Sequence, residues 1–126
     1  MHSVKAEREL LDVLEDSECL GRCTCILHSY AGPSDQLSRA VEDGCLFSVG
    51  TRMLSTKRGR EYARIIPEER LLVESDLPAA AGEPASVRDV TRSLESVIDG
   101  LARIRGTDLE RLRESIGARS DVLLGL

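Results

Sequence analysis

The sequence predicts an α/β fold built on parallel strands. Three short apolar runs, typical of buried strands, alternate with helical segments and end near His28, Gly50 and Asp76. These ends lie 22 and 26 residues apart, which leaves room for a helical crossover between neighbouring parallel strands. A helix precedes the first run and two helices follow the last. We therefore expect a three-stranded parallel sheet with flanking helices.

The individual elements follow from apolar periodicity and from helix start and stop residues. In the first half we predict a helix over residues 5–20, a strand over residues 23–28, a helix with Ser34 as N-cap that ends at Gly44, a strand over residues 45–50 and a loop over residues 51–55. In the second half we predict a helix that ends before Pro67, a strand over residues 70–76, a loop over residues 77–85, a helix from Ser86 to Gly106 and a last helix that begins with a Thr107–Glu110 capping box. Because three strands make an incomplete sheet, we expect these elements to be the C-terminal part of a larger fold.

Composition excludes several classes of function. The chain has 126 residues, enough for one domain, and its 41% apolar and 31% charged residues are typical of a soluble globular protein. The net charge of −5 argues against a nucleic-acid coat or a membrane-surface binder, although it leaves room for a local basic groove. Aromatic residues make up only 2%, so stacking on bases is not expected as the main mode of recognition.

The sequence also predicts a cytoplasmic protein with free thiols. No apolar run approaches the roughly 20 residues of a membrane span, and the N-terminal residues lack the apolar core of a secretory signal. The cysteines at positions 19, 23, 25 and 45 are therefore expected to be reduced. Cys23 and Cys25 share one face of the predicted strand, but the ligand spacing of a zinc site is missing, which favours small buried thiols.

Three residues of the kind that bind metals lie at predicted strand ends. His28 ends the first strand, Asp76 ends the third, and His2 stands before the first helix, where the end of a preceding strand would lie. In parallel α/β folds the chemistry is located at the carboxyl ends of strands. Imidazole nitrogen and carboxylate oxygen suit zinc, manganese or a similar divalent ion, and a carboxylate beside such an ion can accept a proton from water.

Each candidate also has a purely structural interpretation that the sequence leaves open. A single strand-end histidine is more often structural than a ligand, and Asp76 could cap the segment that follows it. Glu74 shares a strand face with Asp76, and as a buried acid it would either hydrogen-bond in the site or pair with an arginine. The basic run Lys57–Arg60 is typical of a solvated helix start, but it could contact a phosphate if its loop lies near the strand ends.

Two motifs frame these candidates. Residues 28–32 are His-Ser-Tyr-Ala-Gly, and residues 70–78 are Arg-Leu-Leu-Val-Glu-Ser-Asp-Leu-Pro. The first resembles the His-x-aromatic-x-Gly motif of TatD-type metal-dependent hydrolases, and the second is similar to their highly specific Leu-Leu-x-Glu-Thr-Asp-x-Pro motif. The segment around His2 resembles the end of the family's fifth strand, and residues 118–126 resemble its closing helix. The resemblance runs over essentially the whole chain, in the family's order.

The resemblance implies a (β/α)8 TIM barrel of the amidohydrolase type, of which residues 1–126 would be a single incomplete domain, the C-terminal half with strands six to eight. It implies cleavage of phosphodiester bonds, typically in DNA, by water activated with divalent Zn, Mn or Mg. By the same resemblance, His2, His28 and Asp76 would bind metal, and Asp76 would also be the catalytic group that helps activate water. The residues expected to support these ligands or to contact substrate are Glu74, Ser75 and Tyr30.

The sequence also departs from the family pattern. The early His-x-His pair and the bridging Glu of the family's fourth strand have no counterpart. Ser75 replaces the family's Thr and Tyr30 its Phe, both mild changes, whereas Gly82-Glu-Pro84 lacks the amide of the family's Asn-x-Pro and puts substrate contacts there in doubt. A truncated gene model, a fragment and a pseudogene product all remain open.

The sequence is compatible with a second function and less compatible with a third. The main alternative is a non-catalytic remnant that keeps the fold signature and binds metal weakly or a partner. A flavodoxin-like binding module is disfavoured because no glycine-rich phosphate loop follows the first strand. With open sheet edges, we expect the chain alone to be a poor hydrolase and to self-associate through those edges. The expected partners are thus DNA or another phosphodiester and a second copy, with no membrane.

Overall fold

The protein is described by a computed structural model that covers residues 6–77, 82 and 84–126. Within these residues, the helices are α1 (Glu7–Asp16), α2 (Ser34–Glu42), α3 (Thr51–Leu54), α4 (Lys57–Ile65), α5 (Val87–Arg105) and α6 (Leu109–Leu124). The strands are β1 (Ile26–His28), β2 (Leu46–Val49) and β3 (Leu71–Val73), and 3-10 turns lie at Cys19–Gly21 and Glu68–Arg70. None of the described helices has the length and apolar character that crossing a membrane requires.

The three strands form one parallel sheet in the order β1-β2-β3, as the alternation of elements predicts. Leu27, Phe47 and Leu71 lie side by side across the sheet, all almost fully buried, and they join the hydrophobic core with the helices. Because side chains alternate along a strand, the next residues, His28 and Ser48, lie together on the opposite face. The register therefore places polar groups on the face that turns away from the core.

The core joins this sheet to the surrounding helices. Phe47 lies at its centre and makes an edge-to-face contact with Tyr30, with ring centroids 6.1 Å apart. Burial of a large apolar side chain contributes about 1.5–3 kcal/mol, so the fully buried residues of the helices are the main stabilising contacts. The large side chains that the helices bury almost completely are Leu11, Val97, Leu101, Leu112 and Ile116.

Several predicted boundaries were wrong. The strand predicted from residue 23 begins at Ile26, because the Cys23 amide donates to the Cys19 carbonyl and continues the preceding turn. Cys23 is therefore exposed and does not share a strand face with the buried Cys25, although all four cysteines are free as expected. The loop predicted over residues 51–55 is largely helical, since α3 follows directly from Gly50.

Two predicted helix caps were also displaced by one residue. The helix α2 includes Ser34, and its N-cap position is Pro33. The helix α6 is capped by Asp108, whose side chain accepts from the Arg111 amide, and not by Thr107. The predicted start of the long helix at Ser86 is confirmed, because Ser86 is the N-cap of α5 and forms a reciprocal capping box with Asp89.

The helix α4 is fixed at several points along its length. A Cβ atom on Gly59 would lie only 1.8 Å from the Met53 carbonyl oxygen, so α4 approaches α3 more closely than any other residue type allows. The buried Tyr62 hydroxyl donates to the Gly32 carbonyl at 2.7 Å. At the other end, the Arg105 guanidinium donates to the carbonyls of Ala63 and Ile66 at 2.8 and 2.7 Å. This helix is thereby held against the loops at the carboxyl ends of β1 and β2.

Candidate metal centre

Three potential metal ligands meet at the carboxyl edge of the sheet. One ligand atom each from His28, Glu74 and Asp76 lie within 4.8 Å of one another. His28 is the last residue of β1, and the other two follow β3, so the strands bring together groups that are more than 45 residues apart in the sequence. Their side chains are 30%, 12% and 38% exposed, which leaves the cluster accessible from solvent.

The two ring nitrogens of His28 face different carboxylates. Nδ1 contacts Oε2 of Glu74, and Nε2 lies 3.4 Å from Oδ1 of Asp76. When Nδ1 carries the ring proton, it donates a hydrogen bond to Glu74, and the lone pair of Nε2 is directed at the Asp76 carboxylate. Two acceptors that face each other in this way need a cation or a proton between them. The geometry thus suits either a bound cation or a protonated imidazole held by two acids.

The Glu74 carboxylate is held by both neighbouring strands. Its Oε1 accepts a 2.5 Å hydrogen bond from the Ser29 hydroxyl, and its Oε2 accepts from the Ser48 hydroxyl. Gly50 leaves the room for this side chain, because a Cβ atom there would lie 2.9 Å from Cγ of Glu74. With its oxygens occupied by hydroxyl donors and by His28, Glu74 is suited to orient the imidazole.

The backbone at the cluster adopts strained conformations. Ser29 and Asp76 have φ values of 46° and 56°, in the left-handed region that non-glycine residues rarely adopt. Such strain costs on the order of 1–3 kcal/mol per residue and is concentrated at functional sites in many proteins. One of these two residues, Ser29, follows His28 immediately. The left-handed conformation of the other, Asp76, directs its carboxylate back toward the His28 ring.

The remaining site candidates lie in different places. His2 and Pro78 are outside the described residues. Ser75 accepts from the Leu77 amide at 3.4 Å, a contact that shapes the turn after β3. Tyr30 is 3% exposed and donates to the Pro33 carbonyl at 2.7 Å, and burial raises its pKa, with the nearby Glu7 charge adding to the effect. Because Tyr30 points into the core, we do not include it in the proposed site.

The sequence analysis missed Ser29 and Ser48. Neither hydroxyl belongs to a spacing pattern that marks chemistry, because serine is common in loops and at strand ends. Ser48 lies opposite His28 in the parallel register, and this pairing would have identified it if the strand alignment had been known. Ser29 follows His28 directly, but its role depends on a left-handed backbone that the sequence does not reveal.

The chemistry of the donor set fits a divalent ion. Histidine nitrogen and carboxylate oxygen are common ligands of zinc and manganese. Zinc bonds of about 2.0–2.1 Å in a tetrahedral arrangement place neighbouring ligand atoms about 3.3 Å apart. The observed separation of 3.4 Å between Nε2 of His28 and Oδ1 of Asp76 agrees with that spacing.

Comparison with known proteins gives one family. A family model described as TatD related DNase matches residues 1–124. The 3'-5' ssDNA/RNA exonuclease TatD of Citrobacter rodentium is 28% identical over 109 residues, which are 80% of this chain and 41% of that protein. Deoxyribonuclease Tat-D of Schizosaccharomyces pombe is 31% identical over 85 residues, which are 68% of this chain and 27% of that protein. The chain thus spans less than half the length of these curated relatives.

Solved structures show the same fold. A hydrolase TatD family protein from Entamoeba histolytica has a TM-score of 0.77 and 15% identity, over 95% of this chain and 48% of that one. The TatD homolog YJJV from Escherichia coli has a TM-score of 0.74 and 22% identity, over 97% and 48%. The sheet and helices are therefore those of part of a (β/α)8 TIM barrel, as the sequence predicts. Since the family model matches nearly all of its residues, the chain belongs to the TatD-related DNase family.

Proposed function

We propose that this chain carries part of the active site of a metal-dependent phosphodiesterase that acts on DNA. The observation that supports it best is the pair of acceptors Nε2 of His28 and Oδ1 of Asp76, which face each other at 3.4 Å. In this proposal both atoms bind a Zn, Mn or Mg ion, and residues 1–126 correspond to strands six to eight of the barrel. His2 would be a further ligand, as the sequence resemblance implies.

The chain's own residues have distinct roles in such a reaction. A divalent ion at this place supplies positive charge that polarises a phosphoryl oxygen and makes nearby water more acidic. Asp76, the more exposed carboxylate, is placed to accept the proton that the attacking water loses. Glu74 keeps His28 in one tautomer, because its carboxylate is held by the Ser29 and Ser48 hydroxyls and accepts a hydrogen bond from Nδ1–H.

Metal titration of the purified chain tests the site directly. We expect one Mn²⁺ or Zn²⁺ ion to bind per chain in calorimetry and Asp76→Asn to weaken that binding by at least about tenfold. Asparagine tolerates the left-handed backbone of position 76 nearly as well as aspartate, so the fold should be retained. The matched control is Asp99→Asn, which removes an equal charge from the Arg103 ion pair on α5. Equal affinities of parent and Asp76→Asn would show that the cluster is an ion-pair network instead.

Catalysis by the chain alone should be weak or absent. A two-metal phosphodiester site needs ligands for both ions and a bridging group, and the described residues supply three candidate groups. The assay uses a generic aryl phosphodiester with Mn²⁺ after removal of contaminating nuclease. Robust turnover that His28→Ala abolishes would contradict this expectation, whereas metal binding without turnover would agree with it.

Location and assembly belong to the same proposal. We place the protein in the cytoplasm, a reducing compartment that suits four free cysteines. We also propose that it self-associates through the outer strands β1 and β3, each of which has one neighbour in the described sheet. Analytical ultracentrifugation at several concentrations tests this, and a monomer throughout would refute it.

A further inference from the structure

The loops at the carboxyl edge of the sheet lie beside a group of exposed cations on α3 and α4, which we call the rim cations: Arg52, Lys57 and Arg58. Arg52 is two residues from Gly50, and Gly50 packs directly on Glu74. Two residues of chain span at most about 7 Å, so the Arg52 backbone lies close to the candidate metal centre. Arg58 donates to the Ala31 carbonyl at 3.5 Å, in the loop that begins at His28.

The rim cations differ in their pairing from Arg64, which lies farther along the same helix as Arg58. Within the part of the chain that the structure describes, none of the three forms an ion pair. Six other arginines do so, among them Arg64 on the next turn of α4, which pairs with Glu61. In a chain of net charge −5, three exposed cations with no ion pair among the described residues thus lie on the two helices next to the site. They stay available for a ligand that carries negative charge.

The position of the rim cations is also fixed. Gly59 presses α4 against α3 at the Met53 carbonyl, and the Tyr62 hydroxyl ties the following turn of α4 to the Gly32 carbonyl. Arg58 lies one helical turn before Tyr62 and so projects from the same face of α4 toward the loop after β1. Arg58 thus projects from an anchored helix, and Arg52 and Lys57 lie on the same pair of helices.

We propose that the rim cations bind the phosphate backbone of a single strand of DNA on the α3–α4 side of the candidate metal centre. This inference takes the position of the reaction from the proposed function. It places the binding of DNA on a separate surface, that of the rim cations. Recognition would be of phosphates and without sequence preference, because both tyrosines are buried in the core and cannot stack on bases. The binding should therefore depend strongly on salt.

Fluorescence anisotropy with a labelled single-stranded oligothymidylate tests the surface without any turnover. The full chain is titrated in EDTA over a series of salt concentrations, as the parent and as the double variant Arg52→Gln/Arg58→Gln. We expect the double variant to bind about tenfold more weakly and its salt slope to fall by about 1.4, since each phosphate contact on a single strand contributes about 0.7. The control is Arg103→Gln/Arg113→Gln, which removes the same charge from α5 and α6.

The outcomes separate this inference from the metal proposal. An equal loss in the control pair would show a general charge effect and overturn the inference, as would unchanged binding of the Arg52/Arg58 variant or no binding by the parent at low salt. Mn²⁺ affinity should stay unchanged in the Arg52/Arg58 variant. If Asp76→Asn leaves the Mn²⁺ affinity unchanged while the Arg52/Arg58 variant binds DNA more weakly than the parent, the DNA-binding surface is supported and only the proposed metal site is wrong.

Discussion

Replacement of Gly59 by alanine should destabilise the protein even though alanine is the better helix former. Gly59 lies within α4, and an added Cβ would be 1.8 Å from the Met53 carbonyl oxygen and 2.7 Å from its carbon. Real Cβ atoms essentially never come closer than 3.0 Å, so α4 and α3 must separate by at least 1.2 Å, the difference between 3.0 and 1.8 Å. The atoms in the way are backbone, which cannot rotate aside.

The size of the effect follows from the contacts that this separation stretches. The displacement of α4 would stretch the 2.7 Å bond from the Tyr62 hydroxyl to the Gly32 carbonyl, and the new Cβ, 2.8 Å from the Thr56 hydroxyl, would disturb the 2.9 Å bond that this hydroxyl accepts from the amide of residue 59. Two hydrogen bonds contribute about 1 kcal/mol each, and overpacking costs about 1–3 kcal/mol. Alanine returns about 1 kcal/mol of helix propensity, which leaves a net loss of about 2–4 kcal/mol. For a chain of this length that lowers Tm by roughly 10 °C.

The assay is urea and thermal denaturation of three glycine variants, all in helices. Gly117→Ala, where nothing lies within 4 Å of the new Cβ, should be stabilised by up to about 1 kcal/mol. Gly100→Ala meets only the flexible end of Leu54 at 3.2 Å and should be close to neutral. A Gly59→Ala protein as stable as the parent would refute the inferred close approach of α3 and α4.

Three further predictions concern a thiol, a cap and the site. Burial raises the pKa of Cys45 to about 11, so at pH 8 it stays protonated and iodoacetamide should label the exposed Cys23 far faster; equal labelling in mass spectrometry would contradict this. Ser86→Ala removes the α5 capping box and should cost about 1 kcal/mol in urea unfolding, whereas the exposed Ser96→Ala should cost almost nothing. Gly50→Ala would crowd Glu74 at 2.9 Å and should weaken Mn²⁺ binding about tenfold in calorimetry, and unchanged affinity would argue against Glu74 as the group that orients His28.

The three strands and their sequence along the chain were predictable because each strand is a short apolar run bounded by turn residues. The boundaries of the strands were not predictable, because they depend on local hydrogen bonds such as that from the Cys23 amide to the Cys19 carbonyl. The helix α3 has four residues, too few for any periodicity to show. Thr107 and Asp108 are both residue types that cap helices, and the backbone places Asp108 at the N-cap position.

The site was predictable where it depends on topology. Parallel strands end at one edge, so His28 and Asp76 were expected together, and they lie 3.4 Å apart. The part that required coordinates is the support of the ligands: which serine hydroxyls reach Glu74, and which ring nitrogen faces which acid. These contacts depend on the strand register and on positive φ angles, and residue types alone determine neither of them.

The Glu74 carboxylate is held by hydroxyls from two places in the sheet, Ser48 in β2 and Ser29 directly after β1. The candidate metal centre is therefore sensitive to how the strands pair during folding. A slip of β3 by one residue against β2 would turn Glu74 toward the helices and break its hydrogen bond with the Ser48 hydroxyl. An ion that binds only the correctly paired sheet would then favour native pairing over slipped forms, by about 2.7 kcal/mol at a hundredfold excess over its Kd. Divalent metal would in that case act on the yield of correctly folded chains as well as on any reaction they catalyse.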